Sequence, residues 1–191
     1  MEADTGKVRL QEYLAFAGIL TLNVNPYLPS LSDIGCTWRD MTALIDGQGL
    51  FYCKAYRGRT TLFSNEVYFL LKACRRERPL DEGGARLLEI LRRFEPAEAE
   101  TIRQASMMER ACFLKAMAAL LTNMHVTALK NGRVINPNWS TFLYGAAETW
   151  EKCGKKPALP EEPEKELKRI LLRTMPEDEF ARFWRKLIPS T

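Results

Sequence analysis

The side chains able to do chemistry in this chain are few and scattered. Among its 191 residues there is one histidine, His125, and five cysteines, Cys36, Cys53, Cys74, Cys112 and Cys153. A zinc site or a redox pair needs ligands a few residues apart, and the two nearest cysteines are 17 apart (36 to 53). Cys53 and Cys112 fall in apolar runs and are expected to be small buried hydrophobes. His125 follows Met124 where a helix gives way to a strand, and is expected to be packed or hydrogen-bonded inside. The carboxylate pairs Glu98/Glu100, Asp81/Glu82, Glu161/Glu162 and Asp178/Glu179 lie in charge-rich segments expected to face solvent. Gly47-Gln48-Gly49 lacks the third glycine and the Lys-Ser/Thr of a phosphate loop, and Asp81-Glu82-Gly83-Gly84 would repel a phosphate. No metal, no cofactor and no catalytic residue is therefore expected.

The basic residues are more informative. The net charge is +4, but residues 54–93 carry ten basic side chains against five acidic, and the rest of the chain 18 against 19. The whole positive excess sits in one segment, which suits a phosphate-bearing partner; a solvated face with spare arginines fits it equally well. The hydrophobic fraction of 46 % and charged fraction of 27 % are enough for a buried core. No run of 18 apolar residues exists, so no membrane span is expected. The polar stretch Met1 to Lys7 lacks a signal-peptide layout, so the expected compartment is the cytoplasm.

These side chains need elements to position them. Residues 7–17 have helical spacing with Gly18 as a stop; Leu20 to Asp33, rich in Asn, Pro and Ser, reads as an irregular loop. Trp38 to Ile45 is a short helix. Leu50 to Tyr56 and Thr60 to Phe63 flank the turn Arg57-Gly58-Arg59 and predict a β-hairpin. Ser64 or Asn65 caps a helix from Glu66 to about Arg78. Leu80 to Phe94 is a helix, and Pro96 opens a short one over Ala97 to Gln104. Ser106-Met107-Met108-Glu109 reads as a capping box for a helix ending near Met124. Val126 to Leu129, the turn Lys130-Asn131-Gly132 and Arg133 to Asn136 then read as a second hairpin, because Asn-Gly is a strong turn signal. Trp139, Phe142, Tyr144 and Trp150 are expected to pack on the core rather than form a stacking platform. Two amphipathic helices, 164–173 and 177–187, close the chain.

Three helices followed by a hairpin predict a winged helix over about residues 80–136. The expected fold is α+β, mainly α: a winged helix-turn-helix core with an additional β-hairpin and flanking helices. Residues 1–154 form the core domain, 155–163 a linker, and 164–191 a helical tail packed on the core.

The order of segments, "LAFAGILTLN" and "NPYLPSL", then "FYCKAYRGRTTLFS", "VYFLLKACRR", the winged helix and "NWSTFLYGAAETW", resembles the small bacterial AlkZ-related proteins, distant relatives of the AlkZ DNA glycosylases. The resemblance implies a winged-helix scaffold and contact with DNA. The Gln-x-Gln or Gln-x-Asp pair of those enzymes is missing: Gln11, Gln48 and Gln104 are each followed, two residues on, by Tyr13, Leu50 and Ser106. A non-catalytic, DNA-associated protein is thus the first expectation. Its donors would be Arg57, Arg59, Arg75, Arg76, Arg110, Lys115, Lys130 and Arg133, holding duplex DNA weakly and in a salt-dependent way. The helix over 106–124 is alanine-rich where base readers usually carry Arg, Asn or Gln, and a helix apolar on nearly all sides is normally buried. The second expectation is therefore an interaction scaffold or homodimer built on that helix. A divergent glycosylase is the third.

Overall fold

A computed structural model describes residues 2–136, 138–153 and 156–187. It is an α+β fold. The first half runs α1 (Glu2–Ala17), β1 (Ile19–Thr21), α2 (Trp38–Asp46), β2 (Phe51–Cys53), β3 (Thr61–Phe63) and α3 (Asn65–Cys74). Strands β2 and β3 form the expected hairpin, and β1 joins it on the other side, giving an antiparallel sheet ordered β1-β3-β2. The loop expected to begin at Leu20 thus begins after Thr21. Gly18, at φ +72, turns the chain sharply from α1 into β1, and a Cβ there would lie 2.4 Å from Val67 Cγ2. Only glycine allows that approach.

Every residue of the three strands is buried, which explains why they show no polar alternation. Leu20, Tyr52 and Leu62 face one hydrophobic cluster, while Ile19, Phe51, Cys53 and Phe63 face another. Successive side chains of a strand point to opposite faces, so this small sheet is a layer between two cores. Helix α3 begins on Ser64, whose Oγ accepts from Val67 N at 3.2 Å, and ends at Cys74, short of Arg78, because Arg75 is already extended (φ −81, ψ 149).

The second half runs α4 (Glu82–Phe94), β4 (Ala97–Glu98), α5 (Ala99–Ser106), α6 (Arg110–Thr122), β5 (Val126–Asn136), β6 (Trp139–Ala146) and α7 (Ala147–Cys153). Its antiparallel sheet is ordered β4-β6-β5. Three sequence expectations are corrected here. Ala97 and Glu98 pair with Tyr144 and Leu143 as strand β4, and the helix follows them. Ser106 is not a cap for α6 but the last residue of α5, its hydroxyl donating to Arg103 O at 2.7 Å. Glu109 caps α6 alone, one carboxylate oxygen accepting from Ala111 N at 2.8 Å and Cys112 N at 3.2 Å.

The third correction is the largest. Lys130-Asn131-Gly132 is not a turn, since β5 continues through it to Asn136 and pairs with β6, with register shifts on both sides of Asn131. The Asn-Gly signal marks an irregularity inside a strand. Asn131 N donates to Asp46 Oδ1 at 2.7 Å, and a Cβ on Gly132 would stand 2.4 Å from Thr141 Oγ1. Small size, rather than turn geometry, is what residue 132 supplies.

Helices α8 (Pro163–Leu171) and α9 (Glu177–Leu187) lie on the core as the amphipathic pattern expects, Leu167, Ile170, Phe180 and Phe183 joining the cluster that holds Phe51 and Trp150. The expected linker's first residue, Lys155, lies outside the described residues.

Helix α9 is latched by a buried carboxylate. Glu179, 5 % exposed, accepts from Tyr56 Oη at 2.7 Å, Arg57 Nε at 2.9 Å and Arg57 Nη2 at 2.6 Å. Arg57 also covers the Tyr27 ring at 3.8 Å. The two Arg57 hydrogen bonds hold the Glu179 carboxyl below its usual range, so the latch stabilises the fold fully above the unfolded glutamate value of about 4.3 and loses that contribution as pH falls below it. The melting-temperature gap between wild type and Glu179→Gln is expected to be constant above about pH 5 and to shrink toward pH 3. A gap that does not change over that range in a pH series of thermal melts would show that the carboxylate's charge is not what holds α9.

Candidate functional site

A cleft of about 750 Å³ opens where the two sheets meet α5 and α6. Its wall is a run of aromatic rings from three elements. Trp139 stacks on Trp38 at 4.2 Å, Trp38 meets Phe142 at 5.1 Å, and Phe142 meets Tyr52 at 4.9 Å. Tyr144 follows at 6.4 Å from Tyr52. Strand β6 places Phe142 and Tyr144 on one face because they are two residues apart, and Trp139 stands at its first position. Trp38 is the first residue of α2, held by the pairing of Thr37 N with Asp40 Oδ2 at 2.7 Å. Its indole Nε1 donates to Ser140 Oγ at 2.9 Å, and Ser140 donates on to the Asn131 side chain. Burial, with Tyr52 beside it, pushes the Tyr144 phenol well above its ordinary value, and burial raises Tyr52 likewise. Both phenols are neutral near pH 7.

Three arginines and two glutamates stand on the rim: Arg103, Arg110, Arg133, Glu98 and Glu100. Arg103 is held by Glu100 at 2.6 Å, and that hydrogen-bonded pairing lowers the Glu100 carboxyl. Glu98 accepts from Thr141 Oγ1 at 2.8 Å. The guanidinium groups of Arg110 and Arg133 form no ion pair among the described residues.

The eight donors expected from the sequence are divided by the fold. Arg110 and Arg133 come together at the cleft. Lys115 and Lys130 are exposed on α6 and β5, outside the cleft lining. Arg59 is exposed, and its neighbour Thr60 lines the cleft. Arg57 is engaged by Glu179 and Tyr27. Arg75 is half-buried and donates to Asn123 O at the end of α6, while Arg76 beside it is exposed. Arg75 and Arg110 therefore sit at opposite ends of α6, which at 1.5 Å per residue is roughly 20 Å long. Arg57 and Arg75, both from the basic segment 54–93, thus turn to other partners and not to the cleft of Arg110 and Arg133.

Helix α6 buries Phe113, Ala116, Met117, Leu120 and Leu121. Its other side, with Ala111, Cys112, Leu114 and Lys115, is exposed. The expectation of a buried Cys112 is corrected; alanine and cysteine are apolar yet small enough to leave in water at little cost. His125 is partly buried, its backbone N–H donating to Leu120 O at 2.9 Å. Burial first and Arg75 second lower its pKa, so the ring is neutral at physiological pH.

Nothing in the residue pattern pointed to Trp38, Tyr52 or Arg103 as site residues, and Trp139 was expected in the core, where it is in fact 49 % exposed. The richness of residues 138–150 in aromatics was the one signal that bore on the cleft. Among the described residues no group of three His, Cys, Asp or Glu side chains is placed to hold a metal ion, and no helix is long and apolar enough to cross a membrane. In comparisons with known proteins the chain matches no family model, no curated protein and no solved structure.

Proposed function

We propose that this chain is a winged-helix protein that associates with DNA without acting on it chemically. Helix α6 lies along a groove, and the β5–β6 hairpin is the wing. The observation that carries the reading is the order α4-β4-α5-α6-β5-β6 with β4 paired to β6: it leaves one side of α6 in solvent, next to a hairpin bearing exposed Lys130 and Arg133. In a winged helix the third helix enters the major groove and the wing meets the backbone. The likeness to AlkZ-related proteins points the same way, and the missing Gln-x-Gln/Asp pair argues against base excision. A glycosylase that has diverged from that motif is the weaker variant of the same reading.

Phosphate contacts dominate such binding, because few base-reading side chains stand on α6. Four contacts, by Arg110, Lys115, Lys130 and Arg133, predict a log–log salt slope of about −3.6. A gel-shift titration on a blunt duplex over a salt series measures it. A flat salt response, or no shift at low salt, would remove duplex DNA as the partner.

One observation favours a second reading. Leu114 is 56 % exposed and Met107 84 % exposed, beside Ala111, an apolar surface that a second copy of the chain would cover. A sizing column separates the two: a dimer dispersed by Leu114→Lys, in a protein that shifts no DNA, favours the scaffold.

A further inference from the structure

We propose that the aromatic cleft takes an unpaired nucleobase of a single-stranded DNA segment, with Arg110 and Arg133 on its flanking phosphates. The proposal rests on the DNA-associated reading above and adds a second mode of contact to it.

Three observations converge on that ligand. The cleft's volume, about 750 Å³, lies within the roughly 300–1,000 Å³ of small-ligand sites. Its wall is a continuous series of rings in which Trp139 is half exposed although it stacks on Trp38. A large exposed ring held at a fixed angle by a partly buried neighbour costs stability in water, and it offers a flat face to a planar partner. The rim then supplies charge of the right sign. Arg110 and Arg133 come from two elements, form no ion pair among the described residues, and stand over an apolar wall. A planar guanidinium matches a phosphate's paired oxygens. A purely apolar ligand would leave these cations unused, and a lone phosphate would leave the rings unused. Rings and cations together suit a base with its backbone. Asn23 and Thr60, which also line the cleft, give polar groups at the base's edge. The acidic Glu98 and Glu100 offset two of the three arginine charges, Glu100 by pairing with Arg103, and the rim keeps a net charge of one positive unit.

A blunt duplex cannot enter such a cleft with its bases stacked, whereas a single-stranded extension can. Fluorescence anisotropy is read with three probes: a blunt duplex, the same duplex with a single-stranded thymidine extension, and the same duplex with an abasic extension carrying only sugar and phosphate. Stacking of one base on an aromatic side chain predicts that the thymidine extension binds about tenfold tighter than the blunt duplex, with quenching of tryptophan emission. The abasic extension lacks that gain. In Trp139→Ala the ratio of the two affinities falls to about one, and in Trp139→Phe, which keeps a ring, most of it returns. Circular dichroism melts establish that both variants are folded. A ratio of one in the wild type, an abasic extension as good as thymidine, or a ratio unchanged in Trp139→Ala would each overturn the cleft proposal while leaving duplex association intact. Binding of the extension without binding of the blunt duplex would instead sustain the cleft and remove α6 from the groove. No binding to any probe would remove both.

Discussion

Arg110→Glu, Lys115→Glu and Arg133→Glu, introduced together, are expected to weaken duplex binding about a hundredfold or more at physiological salt. Removing one cation from a phosphate takes about 0.9 off the salt slope, and near 0.15 M salt that amounts to about 1 kcal/mol for each phosphate. Three phosphates left without their cations reach the hundredfold figure, and reversed charges add repulsion. The fold should be unaffected, because all three side chains are exposed and exposed charges contribute little to stability. Arg76→Glu is the matched control: it is exposed, but it follows Arg75 at the far end of α6 and should change affinity little. Anisotropy titrations of both variants against wild type decide it. A free-energy loss in Arg76→Glu equal to one third of that in the triple variant, which reverses three charges to its one, would mean that net charge, not the α6–hairpin surface, holds the DNA. Arg75 is unsuitable for such a test, since its guanidinium is half-buried against Asn123 O and its removal would strip a partner from the end of α6.

The second large effect concerns stability. Trp150→Ala is expected to destabilise the fold by about 3–5 kcal/mol, the usual cost of emptying a buried aromatic site. Trp150 is fully buried, with Phe51 and Tyr68 edge-on at 5.1 and 5.0 Å and Phe69 at 6.1 Å. It anchors α7 against the sheet β1-β3-β2 and the C-terminal helices. Since a domain's whole stability is about 5–15 kcal/mol, the melting temperature should fall by roughly 10 °C. Thermal melts of Trp150→Ala and Trp139→Ala measured side by side check the assignment. Trp139→Ala should cost far less, because half of that ring is already in water. Equal losses would mean that Trp139 is a core residue and the cleft merely a packing defect.

The two tryptophans show where sequence reading stops. Both belong to one aromatic-rich stretch, and burial was the reasonable expectation for each. Trp150 meets it because α7 turns that side chain between the sheet and α3. Trp139 does not, because it sits at the start of β6, at the rim rather than the centre of the sheet. Nothing local separates the two cases.

Features whose physics is local were legible in the chain before it folded. The Ser64 cap, the Gly18 stop, the hairpin around Arg57-Gly58-Arg59 and the buried spacing of Phe113, Met117, Leu120 and Leu121 each depend on residues a few positions apart, and each is present. Whatever joins distant segments was settled by packing. Strands β1 and β4, three and two residues long, exist because β3 and β6 offer them unpaired edges, so no pattern within them announces a strand. Asn131-Gly132 reads as a turn until Thr141 and Asp46 close on it, and then close packing outweighs turn propensity. Arg57, free by sequence, is claimed by Glu179 from 122 positions away. Trp38 reaches Ser140 across 102, and so the cleft is assembled from pieces that share no local signal. Local propensity acts over one or two turns of chain, whereas a cleft is made by which faces are brought together, and that is settled by burying the two cores on either side of a single small sheet.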